Sequence, residues 1–159
     1  EFVFYLSQND VNLSKLTIKR SIFETNLFLN EKKSVTLMEY ACFYGSVKIY
    51  QYLKSKFFAP TQSLMIFAIH SRSRSMIHLL EEEILFDKSD LSDCYVESIK
   101  CHHNEIAEYL VNNGKASNVI YVDTEYLFFE NYNFNFITDR LIDYLSDYLF
   151  YNDQSKSII

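Results

Sequence analysis

Residues 36–56 read TLMEYACFYGSVKIYQYLKSK, and the same layout returns twice. Residues 63–83 read SLMIFAIHSRSRSMIHLLEEE, and residues 93–114 read DCYVESIKCHHNEIAEYLVNNG. Thr36, Ser63 and Asp93 are of the types that cap helix N-termini, because their side-chain oxygen accepts a bond from a free backbone N–H. Two residues later stand Met38, Met65 and Tyr95; five later, the small residues Ala41, Ala68 and Ser98; nine later, a break at Gly45, Arg72 and His102. Thr124 opens a looser fourth copy, with Tyr126 two residues on, and the steps between the four openers are 27, 30 and 31 residues. Self-similarity at a period near 30 residues marks a stacked repeat protein.

After each break the apolar residues come in pairs three apart: Ile49-Tyr50 and Tyr52-Leu53, Met76-Ile77 and Leu79-Leu80, Ile106-Ala107 and Tyr109-Leu110. Apolar residues at i, i+1, i+3 and i+4 make one face of a helix. The spacing therefore predicts a short helix, a tight corner and a second helix in each unit. The small residue on the first helix lets a neighbouring helix approach closely, where a larger side chain would overpack.

In the fourth copy Phe129 stands at the small position and Arg140 at an aliphatic one, and a register one residue off is open there. Phe136, Ile137, Leu141, Tyr144, Leu145, Tyr148 and Leu149 predict a long amphipathic helix. A terminal unit is expected to be atypical because it caps the stack. Upstream, FVFYL at residues 2–6 reads like the second helix of a further repeat, so the chain is expected to be a piece of a longer array. Residues 8–33 are hard to read; SIFETNLFL at 21–29 fits either a helix or an extended piece covering the stack.

The pattern resembles the ankyrin repeat, best over YACFYGSVKIYQYL at residues 40–53. Gly45 falls at the corner and Gly114 at the exit of the third copy, and these two are the chain's entire glycine content. The usual Thr-Pro-Leu-His opening is absent, and the first two copies lack the Gly-Ala-Asp exit, so short loops are expected in place of β-hairpin fingers. The texture is similar to the divergent ankyrin-type proteins expanded in parasitic protists. The resemblance implies an all-α, ankyrin-like solenoid over residues 34–150, divided near 34–60, 61–90, 91–120 and 121–150. Residues 1–33 form a lead-in and 151–159 a tail.

Composition agrees with helix pairs. Two Gly and one Pro in 159 residues are too few for a turn-rich all-β protein, and 48% hydrophobic content supplies a core. Net charge is −6, with seven acidic and two basic residues in 123–159. That balance disfavours nucleic acid, which needs a basic footprint, and anionic membrane surfaces. No apolar run approaches the ~20 residues that span a bilayer. Three cysteines without framework spacing point to a reducing, cytoplasmic setting.

Few residues suggest chemistry. Cys94, Cys101, His102 and His103 could supply soft metal ligands, but the knuckle spacing of structural zinc sites is missing. Cys42 sits beside Ala41 at a packing position, where a thiol is inert. Glu81-Glu82-Glu83 reads as a solvated face or a contact for a basic peptide. With two glycines, phosphate-cradling loops are excluded for the most part. Neither an enzyme, a cofactor, a resident metal nor a small-molecule substrate is expected.

Binding to another protein is the expectation that remains. The ankyrin resemblance places groove positions at the end of each first helix: Phe43 and Tyr44, His70 and Ser71, Lys100 and Cys101, Asn131 and Tyr132. Exposed large aromatics at such positions anchor interfaces; alternatively, Phe43 packs on the loop before the second copy. A competing reading is self-assembly through the acidic, aromatic helix expected at 134–150.

Overall fold

The computed structural model describes residues 4, 16–19, 21–56, 59–85, 88–113, 127–128 and 130–136. Among them the chain is all-α, with seven α-helices and one short strand pair. It divides into two compact units, residues 1–90 and 91–159.

In the first unit, β1 (Thr17–Ile18) pairs antiparallel with β2 (Val35–Thr36), Thr17 opposite Thr36 and Ile18 opposite Val35. Between them lies the five-residue helix α1 (Leu27–Glu31), whose first turn is capped by the Asn26 side chain. Helix α2 (Leu37–Phe43) starts with a reciprocal cap: Thr36 Oγ1 accepts from Glu39 N at 3.2 Å, and Glu39 Oε2 accepts from Thr36 N at 2.7 Å. Each such cap contributes about 1 kcal/mol. Helices α3 (Val47–Ser55), α4 (Leu64–Ser71) and α5 (Arg74–Glu83) follow.

Helix α2 packs chiefly against α4, and each also packs against the second helix of its own hairpin. Ala41 and Ala68 are buried at the expected close approach. Tyr50, Leu53, Met76, Ile77 and Leu80 are buried on the second helices, as their spacing predicts. Fully burying such a side chain contributes about 1.5–3 kcal/mol. Tyr50 is enclosed, so its hydroxyl needs an internal partner; it donates to Glu83 Oε2 at 2.7 Å, while Lys54 Nζ meets Glu83 Oε1 at 2.7 Å. Glu83 thus ties α3 to α5, whereas the sequence suggested a solvated acidic run.

The second unit takes in most of α6 (Lys88–Lys100), then α7 (Asn104–Asn112), helical residues at 127–128 and 130, and a 3₁₀ turn at Phe134–Phe136. Leu91, Cys94, Tyr95, Ser98 and Ile99 of α6 and Ile106, Ala107 and Leu110 of α7 are buried. Ser98 takes the small-residue place, its hydroxyl satisfied by donating to Tyr95 O at 2.6 Å.

The corners recur most faithfully. Gly45, Arg72, His102 and Tyr132 all have left-handed backbone, with φ of 61°, 54°, 58° and 55°. The backbone N–H of Gly45, Arg72 and His102 returns to Cys42 O, Ile69 O and Ile99 O, three residues back. One residue on, Ser46 N, His103 N and Asn133 N reach five residues back, to Ala41 O, Ser98 O and Phe128 O. This bond pair satisfies the last carbonyls of a helix and ends it at a left-handed residue. In the second copy Ser71 Oγ stands in, donating to Ala68 O at 2.7 Å and accepting from Ser73 N at 3.0 Å.

Three expectations need correction. Ser63 stands at the N-cap position of α4, as expected, but makes no capping bond: its backbone is already helical, its hydroxyl bonds Thr61, and a turn from Thr61 leads into the helix. Asp93 lies in the middle of α6, which begins at Lys88. Cap-forming residue types also occur at exposed helix positions, so type alone does not mark a boundary. The fourth corner falls at Tyr132, making the corner steps 27, 30 and 30 residues. Phe128 therefore takes the small-residue place instead of Phe129, buried and bonded through its carbonyl to Asn133 N. Thr124, Tyr126, Gly114, Arg140 and the helix expected beyond residue 136 lie outside the described residues.

Candidate binding surface

In the first unit, the ends of α2 and α4 bring Phe43, Tyr44, His70 and Ser71 to one edge, with α1 laid across it. Phe28 of α1 enters between them. Its ring lies 4.0 Å from His70, 5.1 Å from Phe67 in an edge contact, and 6.2 Å from Phe43 in a parallel stack. Phe43 also stacks on His70 at 5.2 Å, and Lys32 Nζ sits 4.7 Å over the Phe28 ring. Such pairs contribute about 0.5–1.5 kcal/mol each beyond their burial.

Phe43 is therefore 8% exposed, with Phe28 of α1 against it; residues 57–58 of the loop before the second copy lie outside the described residues. Tyr44 remains 53% exposed. Its hydroxyl is pushed up to about 12, first by its bond to Tyr40 and then by burial. Tyr40 in turn reaches Glu24 Oε2 at 3.5 Å. Ser71 is committed to its corner through both of its bonds.

In the second unit, Lys100 is exposed and 3.6 Å from Glu97, a contact worth little in water. Cys101 is half-buried, and burial, then the Glu97 charge, push its thiol up to about 12 against the opposing pull of Lys100. Asn131 is structural: its amide donates to Leu127 O at 2.8 Å, and its carbonyl accepts from His102 Nε2 at 2.9 Å. Tyr132 is the corner residue itself, so the place equivalent to Phe43-Tyr44 is Glu130-Asn131. Tyr132 is 75% exposed and meets Phe134 edge-on at 6.2 Å. Beside it Asn133 is buried, its amide donating to Ile99 O at 2.9 Å and to Asn104 Oδ1 at 2.7 Å; Asn104 donates back at 3.2 Å.

Cys94, Cys101, His102 and His103 do not bring three ligand atoms within 4.8 Å of one another. Cys42 is enclosed, and burial, then Glu39, push its thiol up to about 12. No helix among the described residues is long and apolar enough to cross a membrane.

No family model, curated protein or solved structure matches the chain.

Sequence reasoning missed Phe28, Lys32 and Phe67. Asn26 ahead of Leu27-Phe28-Leu29 is a capping signal that marks α1, but nothing in that stretch says which of its five large apolar residues turn inward. Phe67 sits next to Ala68 and reads as ordinary core.

Proposed function

We propose that the chain is a non-catalytic protein-binding module built as an ankyrin-like array of helical hairpins. Its binding residues lie at the ends of the first helices, with Tyr44 and His70 foremost. The observation that carries this reading is the recurrence of one left-handed corner, at Gly45, Arg72, His102 and Tyr132, closed at Gly45 and His102 by the same pair of backbone bonds and at the other two by part of it. An array of identical corners presents equivalent side chains in register, which is how repeat proteins build extended binding surfaces. The absence of an activated thiol at Cys42 or Cys101 favours binding over catalysis. A reducing compartment suits three free cysteines.

Capture of partners by the wild-type chain, the Tyr44→Ala/His70→Ala variant and a Gln51→Ala control tests this. Gln51 is exposed on α3, away from the proposed surface. Proteins held by the wild type and the control but lost from the double variant are the expected result; identical capture by all three removes the assignment.

The exposed Tyr132 and Phe134 favour a second reading, self-association through the region that begins there. Sedimentation at micromolar concentration separates the two. A dimer that Tyr132→Ser/Phe134→Ser dissociates supports self-assembly, and a wild-type monomer removes it.

A further inference from the structure

The first unit holds an aromatic socket that is already filled by the chain's own α1. Phe43, Phe67 and His70 form its walls, and Phe28 is the ring within it. We infer that α1 is a detachable strap, and that the socket takes an aromatic side chain carried on a partner's short helix, which competes with Phe28. This inference rests on the binding-module reading and names the chemistry its surface recognises.

Four observations support detachment. Helix α1 has five residues, too few to hold together without its contacts. Three of its bonds are local: Asn26 Oδ1 accepts from Leu29 N at 3.2 Å, Glu24 Oε1 from Asn26 N at 2.9 Å, and Glu24 O from the Asn30 amide at 2.8 Å; the bond from Tyr40 to Glu24 Oε2, which leads to α2, is long at 3.5 Å. A partly open cavity of about 40 Å³ is lined by Leu29 and Asn30 of α1 together with Val35 and Tyr40, so α1 is not packed flush against the unit there. Finally, Ile22, Phe23 and Leu27 of the same segment are 92%, 85% and 77% exposed, leaving Phe28 and Leu29 as its main apolar purchase.

The occupant already in place defines what fits: one flat aromatic ring, edge-on to Phe67 and against His70, on a single helical turn. When the strap is released, Phe43 and Phe67 are uncovered together, giving the clustered aromatic anchor typical of strong interface positions. While the strap is seated, the apparent affinity for any competitor falls by the fraction of open molecules.

The probe is a fluorescein-labelled peptide of residues 21–33, SIFETNLFLNEKK, titrated by anisotropy with the full chain. The Phe28→Ala chain should bind it at least about tenfold more tightly than the wild-type chain, because its own strap competes poorly. The same peptide carrying Phe28→Ala should bind the variant at least about tenfold more weakly. Equal binding by both chains, or of both peptides, overturns the inference. So does a Phe28→Ala chain that loses its helical circular dichroism, since a detachable strap leaves the rest folded. Hydrogen exchange on the wild-type chain gives an independent reading: α1 amides should exchange about a hundredfold faster than those of α2 and α4, and equal protection contradicts a strap. Failure of these tests alongside selective partner loss in the capture experiment removes the strap and keeps the surface.

Discussion

A methyl group placed on Gly45 would stand 2.9 Å from the Ser73 Cβ, closer than two carbons can approach. The first corner therefore rests directly on the second, and glycine is needed there for space as well as for its φ of 61°. Gly45→Ala should cost about 3 kcal/mol, combining left-handed strain with overpacking. Urea denaturation followed by circular dichroism measures it; an unchanged midpoint would mean that the two corners are not in contact.

Arg72 adopts the same left-handed backbone with a side chain attached, on an exposed corner. Arg72→Gly should therefore stabilise the chain, by about 0.5–1 kcal/mol, because relief of the strain exceeds the added entropy of the unfolded glycine. A lower thermal midpoint in the variant would show that the arginine's contacts outweigh its backbone strain.

Asn133 joins the third and fourth corners from a buried position. Asn133→Ala should destabilise by about 2–3 kcal/mol, since it leaves Asn104 without its amide partner and removes one of the two donors to the Ile99 carbonyl, which keeps only His102 N. A double-mutant cycle with Asn104→Ala should show coupling of about 1 kcal/mol, and strictly additive losses would contradict the paired amides.

Burial, then the bond to Glu83 and its charge, hold the Tyr50 hydroxyl well above the ordinary tyrosine range. The neutral form is the one the fold accepts. Its stabilisation is complete below the unfolded value of about 10 and is lost as pH rises above it. Urea midpoints compared between pH 8 and pH 11 should fall more steeply for the wild type than for Tyr50→Phe. Parallel curves would show that the Tyr50 hydroxyl ionises as readily in the folded chain as in the unfolded one.

Thiols raised to about 12 are almost wholly protonated at neutral pH. Iodoacetamide at pH 8 should label Cys42 and Cys101 at least about a hundredfold more slowly in the folded chain than in urea. Rapid labelling of Cys42 would reopen a reactive-thiol reading.

What the sequence disclosed follows from which forces are local. Ala41, Ala68 and Ser98 and the paired aliphatics after each corner were readable because burial on one helix face forces a fixed spacing. The corner positions were readable at Gly45, Arg72 and His102, although two of the three carry side chains that give no hint of left-handed backbone. Tyr132 was misplaced by one residue because the alignment was anchored on Thr124, and cap residue types are a weaker marker than the corner. Asp93 failed for the same reason, and Ser63 marked the right boundary without making the capping bond. The covering of Phe43 was beyond reach, since it depends on Phe28, fifteen residues upstream in a segment without periodicity.

The proposed array requires that neighbouring corners touch, and nuclear magnetic resonance reads this directly on the labelled full chain. Contacts between Gly45 Hα and Ser73 Hβ, and between the His102 ring and Asn131, are expected, together with positive φ at Gly45, Arg72, His102 and Tyr132. Missing contacts at both corner pairs, or negative φ at Arg72 and His102, would contradict recurring hairpins laid corner upon corner.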